Sequence, residues 1–357
     1  MEATSSTSRM PESGATSDHP VAQLLRLPSR SGLAVSPSVS SSAYTREIDS
    51  QLLTMYSNQV GGHRVLVKPL DSSIVLKPYD EAEFEFYDRC VPLVCSALMP
   101  FTARCYGEVD LRAITPEHGG SSVIPGKSGK FVMLEDLAHG IARPCILDLK
   151  MGLKQRSIRN YSEKKLKSKE EKSVSTTSHR LGFRLCGAQL YKDDDANITF
   201  YNKYFGRLQD DEGTYSVLKS FFDSLSNPTT RDRIIASFVH KLEELRLVIR
   251  SLAGFRFWSG SLLLIVDSAT TADAEYDLEG SVILKMIDFA NYTQIESSKT
   301  YDGEYDFGIE CLLTFIDGIR KHQDVSTVLG RLRSPPDASI QDRELLMAVE
   351  RYRMNHT

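Results

Sequence analysis

Short β-rich runs dominate residues 46–139, and they predict a small N-terminal lobe. The predicted strands are Arg64–Val67, Ser73–Lys77 and Phe131–Leu134, with a turn at Asp71-Ser72 between the first two. The third run is continuously apolar, which is typical of a central strand.

Three segments place apolar residues at helical spacing and predict helices. The first covers Asp80–Cys90, where Asp80 is a suitable N-cap and acidic residues fill the first turns. The second covers Arg231–Leu252, and the third covers Asp306–Ile319 with Phe307, Cys311 and Leu312 facing inward. The apolar stripe of the second helix consists of Ile234, Phe238, Leu242, Leu245 and Val248.

Residues 140–325 alternate such helices with further strands and predict a larger α+β lobe. The predicted strands are Cys145–Leu147, Arg184–Tyr191, Ile198–Tyr201, Ser261–Val266 and Val282–Ile287. Residues 1–45 are rich in Ser and Thr and poor in large apolar side chains, so we expect a disordered tail there. Residues 326–357 form a C-terminal tail with a Pro-Pro break and a predicted helix over Gln341–Tyr352.

Composition narrows the class of protein. The 357 residues are 41% hydrophobic and 25% charged, as in ordinary globular proteins, and the net charge of -4 argues against binding to nucleic acid through bulk charge. The six cysteines show no spacing that suggests zinc, so reduced, buried thiols are expected. The longest apolar run, Leu262–Val266, is too short to span a bilayer. We expect a cytoplasmic and/or nuclear protein.

An acid and a base follow the apolar strand at Cys145–Leu147, in Pro144-Cys-Ile-Leu-Asp-Leu-Lys-Met-Gly152. Side chains alternate in an extended chain, so Asp148 and Lys150 should point to one face and Leu149 to the core. A carboxylate beside an ammonium group suits a site for hydroxyls and phosphates. A solvated ion pair is the simpler alternative.

Lys77 and Asp288 extend this chemistry to phosphoryl transfer. Lys77 ends a predicted strand, and Pro78 keeps it extended. Kinases hold the ATP phosphates with a lysine on a strand, and Glu83 is placed to pair with Lys77. Asp288 follows an apolar strand, where a carboxylate is suited to bind Mg²⁺. The alternatives are a surface lysine and a helix N-cap.

Two further segments carry weaker signals. The connector Glu135-Asp-Leu137 follows the predicted central strand, and its backbone is suited to bind an adenine edge. The lysine-rich stretch Ser162–Lys172 is suited to form one basic wall for a polyanion. An ordinary loop and a solvated charged helix are the respective alternatives. Neither a Walker A sequence nor a GxGxxG loop is present.

Taken in order, these motifs resemble the inositol polyphosphate kinase family, and most closely its inositol hexakisphosphate kinase branch. The resemblance covers about residues 55–320 and includes Pro-x-x-x-Asp-x-Lys-x-Gly at 144–152. The other matching segments are Gln59–His63, Leu76–Tyr87, Leu181–Gly187, Asn202–Arg207, Trp258–Leu263, Met286–Ala290 and Tyr305–Gly308. Gly260 stands where the family usually has serine, Asn291 stands where it usually has histidine, and the acidic insertion Asp267–Gly280 is unfamiliar.

The resemblance implies a two-lobed α+β fold distantly related to protein kinases, with ATP and Mg²⁺ as cofactors. It implies that Lys77, Glu135, Leu137, Asp148 and Asp288 bind ATP, and that Asp288 with Ser261 binds the metal. It implies that Lys150, Lys165, Lys172 and Lys203 bind the substrate, inositol hexakisphosphate or pentakisphosphate, and that Lys150, Asp148 and Asp288 are catalytic. The predicted product is a diphosphoinositol. A multikinase that phosphorylates hydroxyls of lower inositol phosphates, or a non-catalytic inositol phosphate sensor, are the alternatives.

Overall fold

The computed structural model describes residues 53–62, 65–111, 129–159, 163–192, 194–269 and 281–355. The predicted disordered tail, residues 1–45, and most of the predicted insertion lie outside this part of the chain. The side chain of Lys165 lies outside it as well.

The first sheet is antiparallel, with five strands in the order β1-β2-β3-β5-β4. Its strands are β1 Leu53–Met55, β2 Val67–Pro69, β3 Ile74–Pro78, β4 Cys105–Asp110 and β5 Lys130–Glu135. The predicted strands at Ser73–Lys77 and Phe131–Leu134 are confirmed by β3 and β5. The strand predicted over Arg64–Val67 is found later in the chain: β2 begins at Val67, residues 65 and 66 precede it, and Arg64 lies outside the described residues. The backbone N–H of Leu66 donates instead to the side chain of Gln59, at 2.9 Å.

The second sheet is also antiparallel, in the order β11-β10-β6-β7-β8. Its strands are β6 Pro144–Met151, β7 Phe183–Lys192, β8 Asp194–Tyr201, β10 Ser261–Asp267 and β11 Val282–Ile287, and they confirm all five strands predicted for this region. A short pair, β9 Phe255–Arg256 and β12 Thr293–Gln294, lies outside both sheets.

Strand β6 shows how this sheet separates core from cleft. Cys145, Leu147, Leu149 and Met151 are at most 1% exposed and belong to the main hydrophobic core. The residues between them point to the opposite face, where the Lys150 ammonium reaches Asp288. The prediction that Asp148 and Lys150 share a face while Leu149 enters the core is therefore confirmed.

The described residues contain ten α-helices, and several of them pack against the second sheet. The ten are α1 Glu81–Glu85, α2 Val91–Leu93, α3 Glu163–Val174, α4 Ser178–Leu181, α5 Lys203–Leu208, α6 Asp211–Asp223, α7 Pro228–Ser251, α8 Gly303–Arg320, α9 Val325–Leu329 and α10 Ser339–Asn355. Helices α7 and α8 pack on each other and against this sheet, and they confirm the two long helices that the spacing predicts. Helix α10 confirms the predicted C-terminal helix.

The predicted helix at Asp80–Cys90 begins as expected and then changes its winding. The Asp80 carboxylate accepts from the backbone N–H of Glu83 and caps α1, which continues as a π-helical turn over Phe86–Cys90. The fold class is α+β with antiparallel sheets, as predicted, while the boundaries of the two lobes stay predictions. No helix in the described part of the chain is long and apolar enough to cross a membrane.

Candidate active site

Lys77 joins the first sheet to the loop that follows the second. Its Nζ lies 2.7 Å from Oε1 of Glu83 and 2.8 Å from Oδ1 of Asp288. Burial alone would lower the pKa of Lys77, but the carboxylates of Asp288 and Glu83 outweigh it and hold that pKa above its ordinary value. Glu83 also accepts from the backbone N–H of Phe289 at 3.0 Å. The predicted Lys77–Glu83 pair is confirmed.

Asp288 is held between two lysines in a conformation that few residues adopt. It follows β11 with φ of 66°, a left-handed value that is costly for a residue with a Cβ. Its second oxygen, Oδ2, lies 3.3 Å from Nζ of Lys150. Desolvation would raise the pKa of Asp288, but Lys77 and Lys150 lower it well below its usual range. Asp288 caps none of the described helices, so the N-cap alternative is wrong.

Asp148 and Ser261 lie beside this group on neighbouring strands. Ser261 pairs with Lys150 across β10 and β6, two positions along from the pair formed by Leu263 and Asp148. Burial, and secondly the charge of Asp288, raises the pKa of Asp148 to about 6, against a smaller opposing effect of Lys150. Within the described residues, Asp148 Oδ1 and Ser261 Oγ are buried without a hydrogen-bond partner.

A glycine-containing loop covers Asp148. A Cβ on Gly61 would lie 1.9 Å from Oδ2 of Asp148, and a Cβ on Gly187 would lie 1.9 Å from the carbonyl oxygen of Val60. Only glycine permits both close approaches. The loop between β1 and β2 is therefore seated directly on the strands that carry the site, which the Gly61-Gly62 doublet alone did not indicate.

Two arginines border the site, and neither was predicted. Arg184 stands opposite Lys150 in the β6–β7 register and is only 8% exposed. Burial lowers the pKa of Arg184, and its Nη1 donates a hydrogen bond to the hydroxyl of Ser178 at 3.1 Å. Arg207 has a buried Nε without a hydrogen-bond partner in the described structure. Both arginines lie inside motifs that carried the resemblance, which was the available signal.

The connector meets a small apolar cluster. Glu135 ends β5 and accepts from the backbone N–H of Arg104 at 3.0 Å. Leu137, Val60 and Leu263 pack against a small buried cluster of Ala138, Ile146 and Ile265, and Leu137 also packs against the main core. The connector also lines a cavity of about 440 Å³, whose walls include Leu137 but not Lys77, Lys150 or Asp288.

The other lysines predicted for the substrate, Lys165, Lys172 and Lys203, belong to helices α3 and α5. Lys172 is in the last turn of α3 and Lys203 is the first residue of α5, with its Nζ 5.5 Å from the ring centre of Tyr204. Within the described residues, neither side chain forms an ion pair with Asp288, whose partners are Lys77 and Lys150. The Lys165 side chain lies outside the described residues, so its predicted role stays a prediction.

The positions that depart from the family's pattern flank the site. A Cβ on Gly260 would come within 3.0 Å of the Phe257 carbonyl oxygen, so a larger residue requires that this turn shift. Asn291 accepts a 2.5 Å hydrogen bond from the hydroxyl of Ser157. Neither residue contributes a charge to the group around Asp288.

The side chains around Asp288 can bind a divalent cation only if a bound ligand supplies further oxygen atoms. No cluster of three or more His, Cys, Asp or Glu side chains suited to a metal is found in the described residues. Mg²⁺, however, is commonly bound by one or two carboxylates together with substrate phosphates and water. Asp288, with the unpartnered oxygens of Asp148 and Ser261 nearby, supplies a donor set of that kind.

Comparison with known proteins identifies the family to which the chain is similar. A family model described as inositol polyphosphate kinase matches residues 131–317, more than half of the chain. Inositol hexakisphosphate kinase 3 of Mus musculus is 32% identical over 209 residues, and that of Homo sapiens is 34% identical over 218 residues. Each alignment covers 55% of this chain and 52% of the relative, so the chain spans about half the length of the curated relatives it matches.

A solved structure supports the fold. The inositol phosphate multikinase of S. cerevisiae, in complex with ADP and Mn²⁺, superposes with a TM-score of 0.55 over 69% of this chain and 98% of its own, at 21% identity. At that identity the likeness concerns the fold alone. Together with the family model and the ordered motifs, it shows that this chain belongs to the inositol polyphosphate kinase family.

Proposed function

We propose that the protein transfers the γ-phosphate of ATP to a phosphate of inositol hexakisphosphate or pentakisphosphate and forms an inositol pyrophosphate. The observation that carries the proposal is the placement of Asp288 between Lys77 and Lys150, with Arg184 beside Lys150. The family, and the names of the hexakisphosphate kinases to which the chain is similar, support this choice.

The nucleotide would lie between the two sheets. The adenine would pack among Val60, Leu137 and Leu263, with its edge at the backbone of Glu135 and Leu137. Lys77 would hold the phosphates, as a strand lysine does in kinases. Asp148, under the glycine loop, is suited to the ribose hydroxyls because its Oδ1 is buried without a partner in the described structure.

Mg²⁺ would be held by Asp288, with Ser261 nearby, and would supply charge neutralisation at the transferred phosphate. The yeast multikinase was solved with ADP and Mn²⁺, which supports the use of a nucleotide and a divalent cation by this fold.

Cations of the second sheet would hold the acceptor. Lys150 would bridge the transferred phosphate and the inositol phosphate, and Arg184 lies next to it. The buried Nε of Arg207 offers a further donor. Lys165, Lys172 and Lys203 would bind further phosphates of the ring.

The transfer needs positioning more than a base. An oxygen of the acceptor phosphate would bond to the γ-phosphorus while the bond from that phosphorus to the β–γ bridging oxygen breaks, and ADP leaves. The acceptor is an anion at neutral pH, so no proton has to be removed from it. Lys77 and Lys150 would then act by orientation and charge stabilisation.

One observation favours the multikinase alternative. A hydroxyl acceptor must lose a proton, and the pKa of Asp148, about 6, suits a general base near neutral pH. The acceptor therefore decides between the two functions, because only a hydroxyl acceptor would make the rate depend on this carboxylate as a base.

The test is transfer from γ-labelled ATP, with Mg²⁺, to inositol hexakisphosphate and, separately, to inositol trisphosphate. We expect a product more anionic than hexakisphosphate, and we expect Asp288→Asn to lose at least about 100-fold in rate while staying folded. Asp317→Asn is the matched control, because Asp317 is also held by several cations but lies at the surface on α8. Transfer to trisphosphate alone would assign the multikinase function. Binding without transfer to either acceptor would assign the sensor.

A further inference from the structure

The C-terminal helix α10 docks through polar groups. Its most deeply buried side chains are Gln341 and Glu344, at 5% and 7% exposure, while Leu346 and Met354 are 64% and 73% exposed. Its apolar residues lie on both sides of the helix, so hydrophobic burial does not fix which side faces the protein. Buried ion pairs fix position more than they add stability, so this interface is suited to hold α10 in one register.

The groups that receive α10 lie on three segments that are next in the chain to elements of the site. Glu344 accepts from Arg256 at 2.7 Å and Gln341 accepts from the indole N–H of Trp258 at 2.7 Å, just before β10 and Ser261. Gln341 also donates to Asp302 at 2.9 Å, at the start of α8. The third receiving loop follows β6, and therefore Lys150.

Residues 154–159, which we call the strap, form that third loop. Asp342 of α10 accepts from Lys154 at 2.7 Å and from Arg156 at 2.9 Å. The Arg156 side chain is 3% exposed and also donates to Glu304 at 2.7 Å and to the carbonyl of Ala338 at 2.9 Å. One guanidinium thus joins the strap to α8 and α10 at the same time.

The far half of the strap reaches both sides of the site. Ser157 donates to Asn291, three residues beyond Asp288, at 2.5 Å. Arg159 donates to Asp80, the residue that caps α1, at 2.5 Å. Helix α1 carries Glu83, which bonds both Lys77 and the backbone N–H of Phe289.

We propose that Arg156 is a positioning residue through which helix α10 holds the strap, and that the strap in turn holds the Asp288 loop against Lys77. Helix α10 lies outside residues 131–317, the part matched by the family model. The kinetic effect expected of this coupling rests on the proposed function, whereas the structural coupling itself does not.

The test compares Asp342→Ala with Asp342→Glu and Arg343→Ala in the full chain. Arg343 is the adjacent residue, and its guanidinium bonds Ser339 of the same helix, so it serves as the matched control. The first readout is amide hydrogen exchange of the protein without ligands, followed in peptides that cover residues 153–159, 288–292 and β10. We expect Asp342→Ala to speed exchange in the first two at least about threefold and to leave β10 unchanged. Asp342→Glu should restore slow exchange.

The second readout is kinetic. With the Asp288 loop less constrained, kcat should fall by about tenfold and the Mg²⁺ concentration at half-maximal rate should rise, while KM for the inositol phosphate stays constant. Ser157→Ala repeats the test at the other end of the strap if Asp342→Ala does not fold. It should speed exchange at 288–292 without affecting α10.

Unchanged exchange at 288–292 in a folded Asp342→Ala protein would overturn the proposal. A uniform rise that includes β10 would overturn it too, since that means general destabilisation. A wild-type protein inactive on every inositol phosphate would instead refute the proposed function, and the exchange result would still decide the coupling.

Discussion

Replacing Gly187 by alanine tests where the glycine loop lies. The added Cβ would stand 1.9 Å from the carbonyl oxygen of Val60 and 2.5 Å from its carbonyl carbon, and ordinary contact begins at 3.4 Å. Because both atoms belong to the backbone, no side-chain rotation relieves the clash. The loop therefore has to lift by about 1.5 Å from β7.

The lift would act on nucleotide binding more than on folding. Overpacking of this kind costs about 1–3 kcal/mol of unfolding free energy. A displacement of about 1 Å at a substrate-positioning group costs up to about 100-fold in rate. We expect kcat/KM for ATP to fall by about 10- to 100-fold, while KM for the inositol phosphate changes little, because Gly61 of the loop lies against Asp148.

Steady-state titration of ATP and thermal unfolding of the same protein measure the two effects. Gly303→Ala is the matched control, because a Cβ there meets no atom within 4 Å and the residue begins a helix. Wild-type kcat/KM for ATP in a folded Gly187→Ala protein would refute the seating of the loop over the nucleotide site.

Two further predictions concern buried charges of the site. Arg184→Met should weaken inositol phosphate binding by about tenfold and raise the melting temperature. The melting temperature should rise because the variant removes a buried charge that has no carboxylate partner among the described ion pairs. A lower melting temperature would show that the Arg184 charge is well compensated in the fold. The raised pKa of Asp148 makes its ionised form unfavourable in the fold, so its contribution to stability falls as pH rises from about 4 to about 6. Asp148→Asn should therefore stabilise the protein at pH 7.5 and stabilise it much less at pH 4.5, as measured by thermal unfolding at both values.

Local patterns predicted the elements that carry the site. The alternation of Cys145–Met151 predicted which face bears Lys150. The Lys77–Glu83 pair was also predictable, because Glu83 follows six positions after Lys77 and the sequence indicates a strand and a capped helix there. Helix α6 was missed although Asp210 caps it and its buried side chains recur at helical spacing, so that signal was present.

Other features depend on long-range packing. The strap contacts groups that are more than 130 residues away at Asn291 and more than 180 away at Asp342, and no periodicity encodes such pairs. The pairing of Arg184 with the Ser178 hydroxyl rather than with a carboxylate of the described residues is equally invisible in sequence, because it depends on which neighbours the fold brings to β7. The chemical role of a single residue could be predicted from the sequence, but the distant residues that it contacts could not.

Replacing Lys150 changes both the activity and the stability of the protein, because Lys150 pairs with Asp288. Lys150 lies 3.3 Å from Asp288, and its removal leaves a largely buried carboxylate with one fewer cation. Lys150→Met should lower the unfolding free energy by about 1–3 kcal/mol as well as abolish transfer. Adding Asp288→Asn removes the carboxylate charge that Lys77 alone would then balance, so the double variant should regain most of the stability and none of the activity. Chemical denaturation and the transfer assay on the single and double variants separate the two effects. A double variant no more stable than Lys150→Met would show that the lysine stabilises the fold through its packing and not through this carboxylate.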